Sequence, residues 1–259
     1  MLFDIRGRRK NVVRVVYAVL ALLMGASLFL VIGPFNLGEL VSSDTSGEAA
    51  EVLEEQAERT EQRLLRNPDD EVLLLSLTRT RIAAANAHAE VDPATGATVV
   101  TPEGVQQRQL AAETWSRYLK EAEAPKPAVA LLAASNYFGL AETSRTINET
   151  VENIEKAAAT QRLAAKAQPT INSLTTLAIY EYYAGDFAAG DKAARQAEAS
   201  VANKFEVEQI QEQMDEYRKR GKAFAAQKKQ IAQQEKAQGK EALQNPLGGL
   251  SGGTGSLGQ

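Results

Sequence analysis

Cysteine is absent from this chain and histidine occurs once, at His88. Without cysteine there are no disulfides, no thiolate metal ligands and no cysteine nucleophile. A single histidine rules out a multi-histidine metal centre and leaves one candidate for a histidine-based triad. That residue stands near a helix end in ANAHAE with no triad partners beside it, so a structural role is expected. A broad basic field is also missing. The 29 lysines and arginines are outnumbered by 33 acids, and they are interspersed with those acids or gathered in the first residues. The chain as a whole therefore offers no footprint for nucleic-acid phosphates. No glycine loop cradles a phosphate, because Gly248 to Gly258 has no strand or helix after it. No stretch alternates long enough to argue a sheet. The sequence leads to a non-enzymatic protein with no cofactor and no metal.

What is present begins with an apolar run. Val15 to Ile32 carries no charge over 18 residues, which as a helix spans roughly 27 Å, close to the hydrocarbon core of a bilayer. Arg6, Arg8, Arg9, Lys10 and Arg14 precede it, and the first charges behind it are Glu39, Asp44 and Glu48. That asymmetry places the N-terminus in the cytoplasm and the bulk of the chain on the extracytoplasmic side, periplasmic or extracellular. A cleaved signal peptide has a similar basic start, but its apolar core is about 7–15 residues and ends in a small-x-small site. Here the run ends in VIGPFNLGELVSS, so a retained anchor is expected. Ala21 and Gly25 form a small-x-x-x-small pair of the kind that lets membrane helices pack closely, which is compatible with a homodimer or a larger membrane complex. The expected organisation is a basic cytoplasmic segment (1–11), a transmembrane helix (12–33) that contacts the lipid bilayer, a linker (34–48), a helical domain (49–202), a charged C-terminal helix (203–243) and a disordered glycine-rich tail (244–259).

Within the helical domain the boundaries are written in prolines and caps. Pro68 in NPDDE and Pro102 in TPE suit a first helical position, where the missing N–H costs nothing, and the acids that follow complement the helix dipole. This reading also explains Asp69, Asp70 and Glu71 without acid–base chemistry. VDPATGATVV reads as a loop insertion, APKPA and the region from Thr143 to Asn148 break helices, and another helix ends at Gln168-Pro169. Asn148-Glu149-Thr150 matches a glycosylation sequon. In the C-terminal helix Tyr217, Phe224 and Ile231 fall seven apart, a narrow seam that either caps the domain or pairs with a partner helix.

Two stretches carry a family likeness. Ala157, Gln161, Ala164 and Pro169 are spaced by four, three and five. Leu174, Leu177, Ala178, Gly185, Asp186, Phe187, Gly190 and Ala197 then follow, with Ala164 and Ala197 33 residues apart. This resembles the tetratricopeptide repeat, and with less regular copies upstream the likeness covers about residues 50 to 202. It implies an all-α protein in which the membrane helix is followed by an α-solenoid of about three helical hairpins and the long C-terminal helix. Ala157, Ala164, Gly190 and Ala197 would let paired helices approach, while Leu174, Leu177, Tyr180 and Phe187 fill between them. A plain helical bundle uses alanine and leucine in the same way.

The resemblance implies a groove lined by the first helix of each pair, with Asn172, Thr175, Ile179 and Tyr182 toward it. For Tyr182, packing between helices is an equal alternative. The implied function is a membrane-anchored adaptor that binds other proteins or peptides. Its plan is similar to that of the single-pass, repeat-bearing ancillary subunits of the bacterial Sec translocon, and exported proteins or the translocon are the implied partners. A constitutive structural subunit of an envelope complex is the alternative.

Overall fold

A computed structural model describes residues 46–91 and 98–244 of the chain. The basic segment, the expected membrane helix, nearly all of the linker and the glycine-rich tail from residue 245 on lie outside the described residues. Among the described residues no helix is long and apolar enough to cross a membrane. The elements in chain order are α1 (Ser46–Leu64), α2 (Glu71–Ala87), β1 (Ala89–Val91), β2 (Thr98–Val100), α3 (Pro102–Glu121), α4 (Pro127–Thr143), α5 (Ile147–Ala167), α6 (Ile171–Ala184), α7 (Phe187–Ala199) and α8 (Lys204–Gln244). Helix makes up 84% of these residues, so the one short hairpin leaves the class all-α.

Side-chain caps explain most helix starts. Thr101, Thr146 and Asp186 each accept a hydrogen bond from a backbone N–H in the first turn of α3, α5 and α7. At α6 the cap is reciprocal: Thr170 accepts from the Ser173 N–H, and the Thr170 N–H donates to the Ser173 hydroxyl. The α6–α7 turn needs Gly185, whose φ of 91° lies in the left-handed region. Two expectations are corrected. Pro68 does not open α2, because the Asp70 carboxylate accepts from the N–H groups of Val72 and Leu73 at 2.9 and 3.0 Å and so fixes the start at Glu71. The acids of NPDDE are thus a turn and a cap. The stretch after α2 is not loop throughout: Ala89, Glu90 and Val91 pair antiparallel with Val100, Val99 and Thr98. Three residues per strand are too few for alternation to register, although Thr98, Val99 and Val100 are β-branched.

Successive helices pack against each other, and α2 also touches α4 while α6 touches α8. Polar contacts give the directions. Glu54 and Glu61 on α1 meet His88, at the end of α2, and Arg81 within it, Arg108 on α3 lies over Gly139 on α4, and Asp191 and Glu198 on α7 meet Arg218 and Gln211 on α8. Each of these pairs is antiparallel. The apolar interior falls into two clusters. One holds Leu74, Leu77, Trp115, Tyr118, Val129 and Tyr137 with alanines of α1, α4 and α5 and with Tyr180 of α6. The other joins Leu174, Ala178 and Tyr182 to Ala193, Ala194, Ala197, Ile210 and Met214. Ile179 packs against both. Ala157, Ala164 and Ala197 are fully buried, with Leu174 and Tyr180 beside them in the interior.

Candidate protein-interaction face

Helix α6 sits between α4 and α8 and presents one side outward. Asn172 is exposed in its first turn, Thr175 is half-buried with its hydroxyl donating back to the carbonyls of Ile171 and Asn172, and Ile179 is half-buried. Tyr182 does not share this face. It is 2% exposed, its ring lies against Gly190, and its backbone carbonyl meets Gly221 of α8. The reason is angular. At about 100° per residue Tyr182 falls roughly 80° from Asn172, whereas Tyr183 falls roughly 20° from it. The stripe therefore runs through Asn172, Thr175, Ile179 and Tyr183.

Tyr183 is the centre of an aromatic row across three helices. Its ring meets Phe138 of α4 edge-on at 5.8 Å between centroids and Phe224 of α8 at 6.3 Å. Phe138 also stacks on Tyr180 at 4.8 Å. Phe138, Tyr183 and Phe224 are each only half-buried, so the row is both a seam between helices and an open apolar surface. Exposed Leu132 on α4 and Ile171 on α6 add to the apolar area of these helices. At the α8 end Arg220 holds its guanidinium over Tyr217, 5.5 Å from the ring centroid, and donates to Glu216. In the sequence Phe224 belongs to the α8 seam, whereas nothing in the pattern singles out Phe138. The wheel angle of Tyr183 was the signal available for it.

The buried side of α6 is held by polar clamps. The Tyr182 hydroxyl donates to Asp191 on α7 at 3.1 Å, and Arg218 on α8 donates to both oxygens of the same carboxylate at 2.9 and 3.1 Å. Hydrogen bonding from Arg218 holds the Asp191 carboxyl below the usual carboxylate range. Burial, helped by the hydrogen bond to Asp191, raises the Tyr182 phenol, and burial pushes Tyr180 up to about 12. Both phenols stay protonated at neutral pH, and that of Tyr182 serves as the donor to Asp191. On the other side of α6, Glu181 is 1% exposed and accepts two hydrogen bonds from Arg162 of α5 at 2.5 and 2.6 Å.

Two other places gather polar side chains. His88 belongs to a chain of polar contacts in which Glu54 meets both His88 and Gln107, and buried Arg81 donates to Gln107 and Glu61. The chain ties α1, α2 and α3 together. Within it His88 is held by Glu54 at 2.9 Å. An open cleft of about 820 Å³ separates α3 from α5 above α4, with Tyr137 and Leu140 lining it alongside Arg117, Lys120, Glu149 and Lys156. Its charges are mixed and partly paired, as Lys156 is with Glu152. Among the described residues no group of three or more histidine, aspartate or glutamate side chains could hold a metal ion. No protein-family model, curated protein or solved structure matches the chain.

Proposed function

We propose that the chain is a membrane-tethered, tetratricopeptide-like α-solenoid that binds peptide segments of other proteins on the extracytoplasmic face of the plasma membrane. The hairpins α2–α3, α4–α5 and α6–α7 supply the repeats, with α8 closing the array. Antiparallel neighbours and the added contacts of α2 with α4 and α6 with α8 support this reading, because a solenoid stacks the first helices of successive pairs. The tether rests on the uncharged run from Val15 to Ile32 and the basic residues before it.

The observation that carries the binding role is the half-exposed aromatic row of Phe138, Tyr183 and Phe224. Aromatic side chains give large contact area for little lost rotamer freedom and are common anchors of interfaces. The occupant this surface suits is an extended or helical segment whose apolar side chains seat around Tyr183.

A photo-reactive amino acid placed at Thr176, half-buried one turn before Tyr180, tests this in intact membranes. Crosslinks to exported chains support the adaptor, and a single fixed partner supports the structural subunit of an envelope complex. Exchange of Phe138, Tyr183 and Phe224 for alanine is expected to lower crosslinking at least about tenfold, since each lost anchor costs of order 1 kcal/mol or more. Unchanged crosslinking would remove the row from the binding surface. A reporter fused at the N-terminus and found outside the cell would overturn the topology.

A further inference from the structure

The first and last of the described helices carry opposite charge on their outer sides. Helix α1 holds six glutamates against two arginines. Glu54 and Glu61 turn inward to His88, Gln107 and Arg81, whereas Glu48, Glu51, Glu55 and Glu58 are exposed. At about 100° per residue these four share a sector of roughly 80°, and Thr60, on the buried side, falls opposite Glu51. In α8 the stretch from Arg218 to Gln234 has six lysines and arginines and no acid. Arg218 and Arg220 are paired with Asp191 and Glu216. Lys219, Lys222 and Lys229 form an exposed line, roughly 140° to 160° around the helix from Phe224.

Neither line is used within the chain. Helix α1 packs on α2, and α8 packs on α6 and α7. Among the described residues Glu55 pairs with Arg59, while Glu48, Glu51, Glu58 and the three lysines make no ion pair. The two lines also share one spacing. Steps of three and seven residues separate Glu48, Glu51 and Glu58, and the same steps separate Lys219, Lys222 and Lys229. Two helices set parallel in that register bring each glutamate opposite one lysine over about 15 Å of helix. The positions between them do not conflict: Val52 faces Ala223, Glu55 faces Ala226, Arg59 faces Gln230 and Arg63 faces Gln234. An antiparallel setting matches only Glu51 with Lys229 and Glu58 with Lys222, and leaves Glu48 opposite Ala232.

We infer that the glutamate line of α1 docks on the lysine line of α8 in a second copy of this chain, so that copies join end to end. Polar outer faces keep a helical array soluble whatever their sign, but two ends of opposite sign and equal spacing also attract each other. The two surfaces differ, so the contact is heterologous and a single contact does not close into a two-fold dimer. Exposed ion pairs are individually weak and screened by salt. The three pairs therefore act together, and the association grows with concentration and fades as salt is added. Nucleic acid and an acidic segment of another protein are the rival occupants of the lysine line. A second copy is preferred because it brings acids at the spacing that the lysines have. The inference requires neither the membrane tether nor the repeat reading.

Full-length protein in a neutral detergent, with half of the copies isotopically labelled, is treated with a carbodiimide that joins carboxylates directly to amines. Mass spectrometry is expected to find mixed-label pairs linking Glu48, Glu51 or Glu58 to Lys219, Lys222 or Lys229, with a yield that falls as salt rises. Two variants reverse one line each. The first combines Glu48→Lys, Glu51→Lys and Glu58→Lys, and the second combines Lys219→Glu, Lys222→Glu and Lys229→Glu. Each alone is expected to lose self-association at least about tenfold in sedimentation. Mixing the two is expected to restore it, since each then supplies the sign that the other lacks. Circular dichroism checks that both variants stay helical, and if either does not, the mixed-label pairs of the parent decide alone. Pairs confined to one label, self-association that survives either reversal, or folded variants that do not recover on mixing overturn the inference. So does added RNA or acidic peptide that abolishes the mixed-label pairs at physiological salt.

Discussion

At Gly221 a single missing methyl group sets how closely two helices approach. A Cβ there would collide with the Tyr182 carbonyl oxygen and come within 2.7 Å of its carbonyl carbon, and both are backbone atoms that cannot turn aside. Alanine normally stabilises a helix interior relative to glycine by up to about 1 kcal/mol, but overpacking against backbone costs about 1–3 kcal/mol. Gly221→Ala is therefore expected to be destabilising overall, with a lower urea midpoint and faster proteolysis within α8. Gly139→Ala is the contrasting case. The nearest neighbour of its Cβ is the guanidinium of Arg108, the mobile end of a long side chain, so that variant is expected to keep a midpoint close to that of the parent. At Gly190 a Cβ would instead meet a side chain, the buried Tyr182 ring at 2.5 Å, with the Ala178 carbonyl oxygen at 3.2 Å behind it. The same residue scale explains Glu181. Its carboxylate is buried and paired with Arg162, which is itself half-exposed. Arg162→Met leaves an uncompensated buried charge and is expected to cost about 3 kcal/mol, and adding Glu181→Leu is expected to restore most of that loss. Denaturant titration of the three variants measures both effects.

Between α7 and α8 the polar clamp carries a sign in pH. Arg218 depresses the Asp191 carboxyl relative to the unfolded chain, so the stabilisation is complete above the ordinary aspartate value near about 4 and is lost as pH falls through the lower folded value. The urea midpoint of the parent is expected to drop between pH 5 and pH 2, and Asp191→Asn is expected to be weaker at pH 5 yet to show a smaller drop. At this scale the legibility of the sequence is uneven for physical reasons. Thr101-Pro102, APKPA, Gln168-Pro169 and Gly185-Asp186 announce helix ends because proline, glycine and capping residues act locally, and the structure places boundaries there. Asp70 shows the limit: composition marks a helix start, but whether proline or aspartate occupies the cap depends on which hydrogen bond forms. The β1–β2 hairpin is illegible because three-residue strands have no period. The spacing of Asn172, Thr175 and Ile179 puts them on one side of α6 from the sequence alone, and the next position along that side is decided by which of two adjacent tyrosines α7 and α8 enclose. Tyr182 goes inward because Gly190 and Gly221 leave room for it, and those glycines lie 8 and 39 residues away.

Across the molecule the two interior clusters differ in kind, and the difference foretells how the body comes apart. The cluster of α1 to α5 buries Trp115 and Tyr118 completely, their rings 5.2 Å apart, together with Leu74, Leu77 and Val129. The cluster of α6 to α8 is built mainly from alanine, with Tyr182 its only buried aromatic ring, and Ile210 and Met214 of α8 close its open side. Large buried side chains contribute about 1.5–3 kcal/mol each and alanine far less, so α6 and α7 depend on α8 in a way that α2 and α3 do not. A chain ending at Ser200 loses Ile210, Met214 and Arg218 at once, exposing Ala178, Ala194 and Tyr182 and leaving Asp191 without its cation. In the proposed array, units that touch only their neighbours unfold from the weakened end inward. The truncated chain is therefore expected to show amide exchange near the unfolded rate in α6 and α7 with protection retained in α2 to α5, and to lose helix signal only for the former. Loss of protection throughout would mean that Tyr180 of α6 in the first cluster, Ala165 of α5 in the second, Ile179 and the Arg162–Glu181 pair couple the clusters into one cooperative unit, and the body would then fold as a single domain rather than as an array.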